Sequence, residues 1–473
     1  MALLSGPLLF AFTLLLNPFG LDENANKVMA CALLMISWWI SEALPMPAVA
    51  LIPLVLFPLM GIAKISEAAA PYANEVVFLF MGGFMIGLGI EKWNLHRRIA
   101  LSIVQFTGTN GNQIILGFIL ATGFISMWLS NTATTMMMLP IAASVISVVE
   151  SKNQHNPQMR FFAVSMMLAI AYAANFGGIA TIIGTPPNVA YASFVSKQLN
   201  NDISFSAWMM IGLPVSLLLL FSLYVVLIKL FPSRIDSNDE MRLLIKNELN
   251  ALGPMTVPEK RVLYIFITTA SLWIFRDLIN NTGIVKLDDN MIAVFGALLM
   301  FIVPSGNSTK ESERILIWSD TTKMAWGILL LFGGGITLAS ALEKAGLIKM
   351  LGTWLSGFSG SSVVFLVIAI TIISLFISEV MSNVAQVIVF APVVTGIATA
   401  TGADPYMLGI PMTLAASCAS MMPMGTPPNA IVFSTGHLKL SEMMKAGLIM
   451  NLISILLIIL SGLFLVPFAI KYL

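Results

Sequence analysis

The sequence predicts an all-α polytopic membrane protein of about eleven transmembrane helices plus two re-entrant hairpins, arranged as two inverted repeats. Three observations lead there. Only 10% of the 473 residues are charged and 58% are hydrophobic, where a soluble globular protein carries roughly 25% charged residues. Apolar runs of about 20 residues, the length of a membrane-crossing helix, recur along nearly the whole chain. Finally, the same polar and proline-bearing motifs interrupt these runs twice, in register.

The composition also excludes functions. A net charge of +1 offers no basic surface for nucleic acid. Cys31 and Cys418 lie in apolar runs and read as small buried hydrophobes. His96, His155 and His437 lie among loop-like charged residues, and no His, Cys and carboxylate group has metal-ligand spacing. Neither a Walker motif nor a Ser/His/Asp or paired-carboxylate arrangement occurs, so enzyme chemistry and ATP-driven transport have no support, and no organic cofactor is expected.

Taken in order, the elements begin with an N-terminal helix in 1–27, over about 3–20. Its Leu3–Leu16 run lacks a basic n-region and reads as a spanning helix, not a signal peptide. The first repeat covers 28–232, with spans near 28–43, 46–62 and 74–90. Trp38-Trp39 beside Glu42 reads as an interface anchor, and Trp93–Phe106 as a helix lying in the interface. Residues at about 113–149 are apolar except for a central Ser-Asn-Thr, which suits a hairpin with that motif at its tip. Gly184 to Asn188 interrupts a helix at about 161–196, since Pro186-Pro187 removes two N–H donors. A span near 207–228 closes the repeat.

The hydrophilic stretch 233–261 is a cytoplasmic linker to the second repeat, 262–473. That repeat holds spans near 262–280, 290–304 and 324–342, a hairpin at about 361–398, a broken helix at about 406–436 and a last span near 446–470. Most of the 24 Lys and Arg residues then fall on one side. By the positive-inside bias the N-terminus is cytoplasmic and the C-terminus outside, in the inner (plasma) membrane.

Duplication is visible residue by residue. Phe80, Glu91-Lys92, Ser126, Ser130-Asn131 and Pro140 recur as Phe332, Glu343-Lys344, Ser378, Ser382-Asn383 and Pro392, each 252 positions on. The two Gly-Thr-Pro-Pro-Asn copies are 241 apart. An odd number of crossings separates equivalent points, so the repeats are inverted. Inverted repeats with broken helices are the architecture of secondary transporters, with the site near mid-membrane.

The interruptions carry the chemistry. Hydroxyl and amide oxygens of Ser130, Asn131, Thr132, Ser382 and Asn383 sit at the tips, with Ser126 and Ser378 one helical turn before. Each break frees carbonyls and leaves N–H groups at the start of the following half-helix. Neutral oxygen clusters suit Na⁺, while helix N-termini suit a carboxylate. Serine and threonine are also common in membrane helix interfaces. Four such motifs in a duplicated arrangement favour a site.

These motifs, with Trp-Trp-Ile-Ser-Glu-Ala-Leu-Pro at 38–45, resemble those of the divalent anion/sodium symporter family, and the overall pattern is similar to bacterial Na⁺/succinate-type members. The resemblance covers essentially the whole chain. It implies a homodimer working by an elevator motion, with Na⁺ sites flanking a C4-dicarboxylate. One Na⁺ site would use Ser126, Ser130, Asn131 and Gly184, and the other Ser378, the Met381 carbonyl, Asn383 and Gly425. Substrate would meet Ser130, Asn131 and Thr132 at one tip and Ser382 and Asn383 at the other, with Thr185, Pro186, Thr426 and Pro427 lining the site. Where the family has a second Ser-Asn-Thr, this chain has Val384. The implied function is Na⁺-coupled symport of succinate, malate or fumarate; the alternatives are a dicarboxylate exchanger, or a citrate or sulfate transporter of the same fold.

Overall fold

The computed structural model describes residues 2–108, 110–152, 158–199, 203–232, 239–306, 314–347, 350 and 362–470. Among them the structure is helical, and the extended pairing is one isolated bridge between Pro304 and Arg314. In order the helices are α1 (Ala2–Leu16), α2 (Glu23–Ser41), α3 (Met46–Val49), α4 (Ile52–Leu59), α5 (Ile65–Ala69), α6 (Glu75–Lys92), α7 (Leu95–Thr107), α8 (Gly111–Ser126), α9 (Asn131–Lys152) and α10 (Gln158–Gly178). There follow α11 (Pro186–Leu199), α12 (Phe205–Leu230), α13 (Asp239–Ala251), α14 (Val257–Asn280), α15 (Asp289–Ile302) and α16 (Trp326–Lys344). The rest are α17 (Val363–Ser378), α18 (Asn383–Thr401), α19 (Pro405–Ala416), α20 (Pro427–Ser434), α21 (Leu440–Leu460) and α22 (Val466–Ala469).

Seven helical stretches of these described residues are long and apolar enough to cross a membrane, and five shorter apolar ones run 10–17 residues. The expected span near 46–62 is not one helix. It is split into α3 and α4, because Pro53 lacks the N–H that would continue the ladder back to Val49.

The duplication appears in the helix ends. α8 and α17 begin and end 252 positions apart, as do the starts of α9 and α18 at Asn131 and Asn383. α6 and α16 end at the equivalent Lys92 and Lys344. Equivalent side chains even touch: Phe80 and Phe332 pack edge to face with centroids 5.3 Å apart.

Small residues let these helices approach closely, as membrane packing without a hydrophobic driving force requires. A Cβ on Gly82 would lie 2.6 Å from the Ala293 backbone, and one on Gly334 would lie 2.2 Å from the Ala50 carbonyl oxygen.

Two sequence expectations change. Trp39 is not an interface anchor: it is fully buried, with its indole N–H 3.4 Å from the Met46 carbonyl, while Trp38 donates to Leu3. His96 is not in a loop. It lies buried on α7 with Nδ1 3.1 Å from the Ile90 carbonyl, and burial holds its imidazole below the ordinary range. α7 is otherwise the expected amphipathic helix and packs along α8.

Part of the linker is ordered. Residues 233–238, like residue 361 at the start of the second hairpin, lie outside the described residues. Beyond them α13 packs on α7 and α9, with Arg97 paired to Glu248. Thr256 and Glu259 form a capping box, so 257–261 is the first turn of α14, and Arg98 grips Glu259 at 2.8 and 3.2 Å.

Candidate functional site

Proline placement sets where helix resumes after both breaks. α10 stops at Gly178 and α19 at Ala416, and the chain resumes helix at Pro186 and Pro427. Paired prolines are tolerated in a first helical turn, where N–H groups have no intrahelical partner, and they block continuation from the preceding side.

That chemistry corrects the expectation of free N–H groups on these half-helices. Prolines have none to offer, and the first donors beyond them are taken. Asn188 N donates to the Thr185 carbonyl at 3.2 Å, and Asn429 N to Thr426 Oγ1 at 3.3 Å. First-turn donors remain instead at the hairpin tips. There α9 begins at Asn131, with Ala133 N taken by Ser130 Oγ at 3.3 Å, and α18 begins at Asn383 with no side-chain cap from Ser382. First-turn N–H groups point out of a helix N-terminus.

Behind each tip lies a cluster of oxygens. Ser126 Oγ lies 2.8 Å from Asn131 Oδ1 and 2.7 Å from the Ala174 carbonyl. Ser378 Oγ repeats this with Asn383 Oδ1 at 2.7 Å and with the Ala416 carbonyl. One hydroxyl proton cannot fully serve two acceptors, so each cluster is rich in lone pairs and short of donors. That is the electrostatic condition for a hard cation.

The break itself is braced in the same way in both halves. Asn188 Nδ2 donates to the Thr181 and Gly178 carbonyls at 2.8 and 3.3 Å, and Asn429 Nδ2 to those of Met422 and Ala419 at 3.1 and 3.3 Å. Thr181 Oγ1 holds the Met127 carbonyl at 2.5 Å. A Cβ on Gly184 would sit 2.4 Å from the Gly178 carbonyl oxygen, and one on Gly178 would sit 2.3 Å from Asn131 Oδ1. Glycine is therefore required where the break closes on the tip. Asn188 Oδ1 is buried without a partner among the described residues, which leaves a further acceptor at the first break.

Burial follows the expected roles only in part, since the substrate-lining threonines are buried and several cation ligands are not. Ser126, Ser378, Gly184, Gly425 and Met381 are buried, as are Thr185 and Thr426. Ser130, Asn131, Thr132, Pro186, Ser382, Asn383 and Val384 are half-buried, and Pro427 is exposed. Packing crosses the halves: α9 lies against α20, and α18 against α11. Each hairpin's tip helix thus meets the half-helix of the other repeat.

Sequence reasoning missed two members of this region. Glu379 is buried beside the second tip, where the first repeat has Met127. It accepts Ser420 N, Met421 N and Met422 N at 2.9 Å each and Asn451 Nδ2 at 2.6 Å, and so caps the break after α19. A carboxylate inside an apolar run is a strong signal in a membrane protein, and it was there to be read. Asn175 is the other; nothing marks it in the sequence, because its partners lie about 250 residues away.

The sequence pattern of the family described as sodium:sulfate symporter transmembrane region matches residues 4–469. The chain belongs to that family. Within the sodium:sulfate symporter family, the sodium-dependent dicarboxylate transporter SdcS of Staphylococcus saprophyticus is 38% identical, covering 98% of this chain and 91% of its own length. SdcS of Staphylococcus aureus strain MRSA252 is also 38% identical over the same shares. Among solved structures, the Alcanivorax borkumensis YdaH transporter superposes with a TM-score of 0.58 at 13% identity, covering 91% of this chain and 97% of that one. Neisseria gonorrhoeae MtrF gives 0.54 at 13%, over 86% and 83%. At that identity the likeness is one of fold. As a member of the sodium:sulfate symporter family the protein is a multi-pass membrane transporter, not an enzyme.

Proposed function

We propose that the protein couples Na⁺ entry to uptake of C4-dicarboxylates such as succinate, malate and fumarate across the inner membrane, by an elevator motion of a homodimer. The observation that carries this is the duplicated Ser-Asn-carbonyl cluster, Ser126 with Asn131 and Ala174 and Ser378 with Asn383 and Ala416, each set behind a half-exposed helix N-terminus. The names of its 38% identical relatives support the substrate class.

In this reading Na⁺ enters each oxygen cluster, Ser126, Ser130, Asn131 and Gly184 serving one and Ser378, Met381, Asn383 and Gly425 the other. The Ser and Asn groups need not be deprotonated, so cation binding releases no proton. A dicarboxylate then lies between the tips. One carboxylate meets Ser130, Asn131 and Thr132, the other Ser382, Asn383 and Val384, with Thr185, Pro186, Thr426 and Pro427 around it. First-turn N–H groups at Asn131 and Asn383 supply dipoles, since no Lys or Arg stands in either motif. A bare dianion is costly at membrane depth, and bound cations offset that charge. Binding of each therefore favours the other, by linkage.

Calorimetry on the purified protein in detergent tests this. Succinate should bind in NaCl and not in KCl of equal ionic strength, and sulfate should compete weakly. Equal binding in both salts would refute the coupling.

A further inference from the structure

We propose that Asn175 is a positioning residue that couples the two cation clusters, so that Na⁺ binding at one favours binding at the other. The inference rests on the reading of those clusters as Na⁺ sites. Asn175 lies on α10, 1% exposed, directly after Ala174, whose carbonyl belongs to the first cluster. Its side chain crosses to the other repeat. Nδ2 donates to Thr426 Oγ1 at 2.9 Å and lies 3.3 Å from Asn429 Oδ1. Those two residues organise the second break: Thr426 caps α20, and Asn429 holds the Met422 and Ala419 carbonyls. A cation that draws in the Ala174 carbonyl therefore moves the residue that grips the second break. Coupling of this kind is reciprocal.

The repeat provides an internal comparison. Ser378 bonds the Ala416 carbonyl as Ser126 bonds that of Ala174, so the counterpart of Asn175 is Ser417. Serine is shorter than asparagine and carries no amide. Ser417 Oγ is buried without a partner, and so is Asn188 Oδ1, the counterpart of the oxygen that Asn175 reaches. The reciprocal amide strut is missing among the described residues; Tyr172 on α10 adds a second bond from the first repeat to the second break, its hydroxyl donating to the Ser420 carbonyl at 2.6 Å.

The test is the Na⁺ dependence of succinate uptake in proteoliposomes, together with Na⁺-induced thermal stabilisation in detergent, for wild type, Asn175→Ala, Asn175→Ser and the double variant Asn175→Ala with Ser417→Asn. Wild type should show a Hill coefficient above 1. Asn175→Ala and Asn175→Ser should lower it toward 1 and raise the half-saturating Na⁺ concentration several-fold, and Ser417→Asn should restore part of both. A purely structural loss would reduce the amount of active protein and leave the Hill coefficient unchanged. If Asn175→Ala does not fold, the serine variant carries the test. Wild type without Na⁺ dependence would overturn the reading of the clusters; wild-type Hill coefficients in both Asn175 variants would overturn the coupling alone.

Discussion

On the proposed reading Asn131 and Asn383 do two jobs at one position. Each side-chain oxygen lies in an oxygen cluster with Ser126 or Ser378 that would hold a cation, while each residue opens a helix whose N-terminus would face the anion. Replacing either by Ala removes an oxygen that neither neighbour can supply. Asn131→Ala and Asn383→Ala should each abolish Na⁺-dependent succinate uptake in proteoliposomes while leaving the melting temperature in KCl close to wild type; appreciable uptake by either variant would remove these residues from the site. Val384 keeps the backbone N–H of the family's threonine but not its hydroxyl. A net hydrogen bond is worth about 0.5–1.5 kcal/mol, so Val384→Thr should lower the apparent Km for succinate by roughly 2- to 10-fold, read from initial uptake rates at saturating Na⁺. An unchanged Km would place Val384 outside the second carboxylate's reach.

At the level of elements, much of the architecture could be read in the chain. Helix ends recur at the 252-residue spacing of Ser126 and Ser378, and the proline pairs sit where the breaks occur. What stayed hidden depends on contacts that only the fold makes. The donors expected at the half-helices were lost to local bonds that only the folded break reveals, and Trp39 gave no sign of the covering that buries it. The one overlooked element that was legible is Glu379, a lone carboxylate in an apolar run. Close packing of α16 is testable at this scale. Since a Cβ on Gly334 meets the backbone of Ala50, Gly334→Ala should cost about 1–3 kcal/mol by overpacking, seen as a lower melting temperature in detergent. No change would mean that α16 can move off its neighbour freely.

For the whole molecule, the two repeats share the Ser-Asn-carbonyl cluster and differ around it. Both have the Ser-Asn-carbonyl cluster, but Glu379 caps only the second break, Val384 lacks the hydroxyl of Thr132, and Asn175 has no asparagine counterpart. The proposed duplicated cation framework around one shared anion site would explain that pattern, since a dicarboxylate need not meet identical groups at its two ends. The measurement closest to this claim is uptake of labelled succinate by proteoliposomes preloaded with KCl and diluted into NaCl or into KCl. Accumulation above equilibrium under the inward Na⁺ gradient, abolished in KCl, is the predicted result. Equal uptake in both media would contradict it.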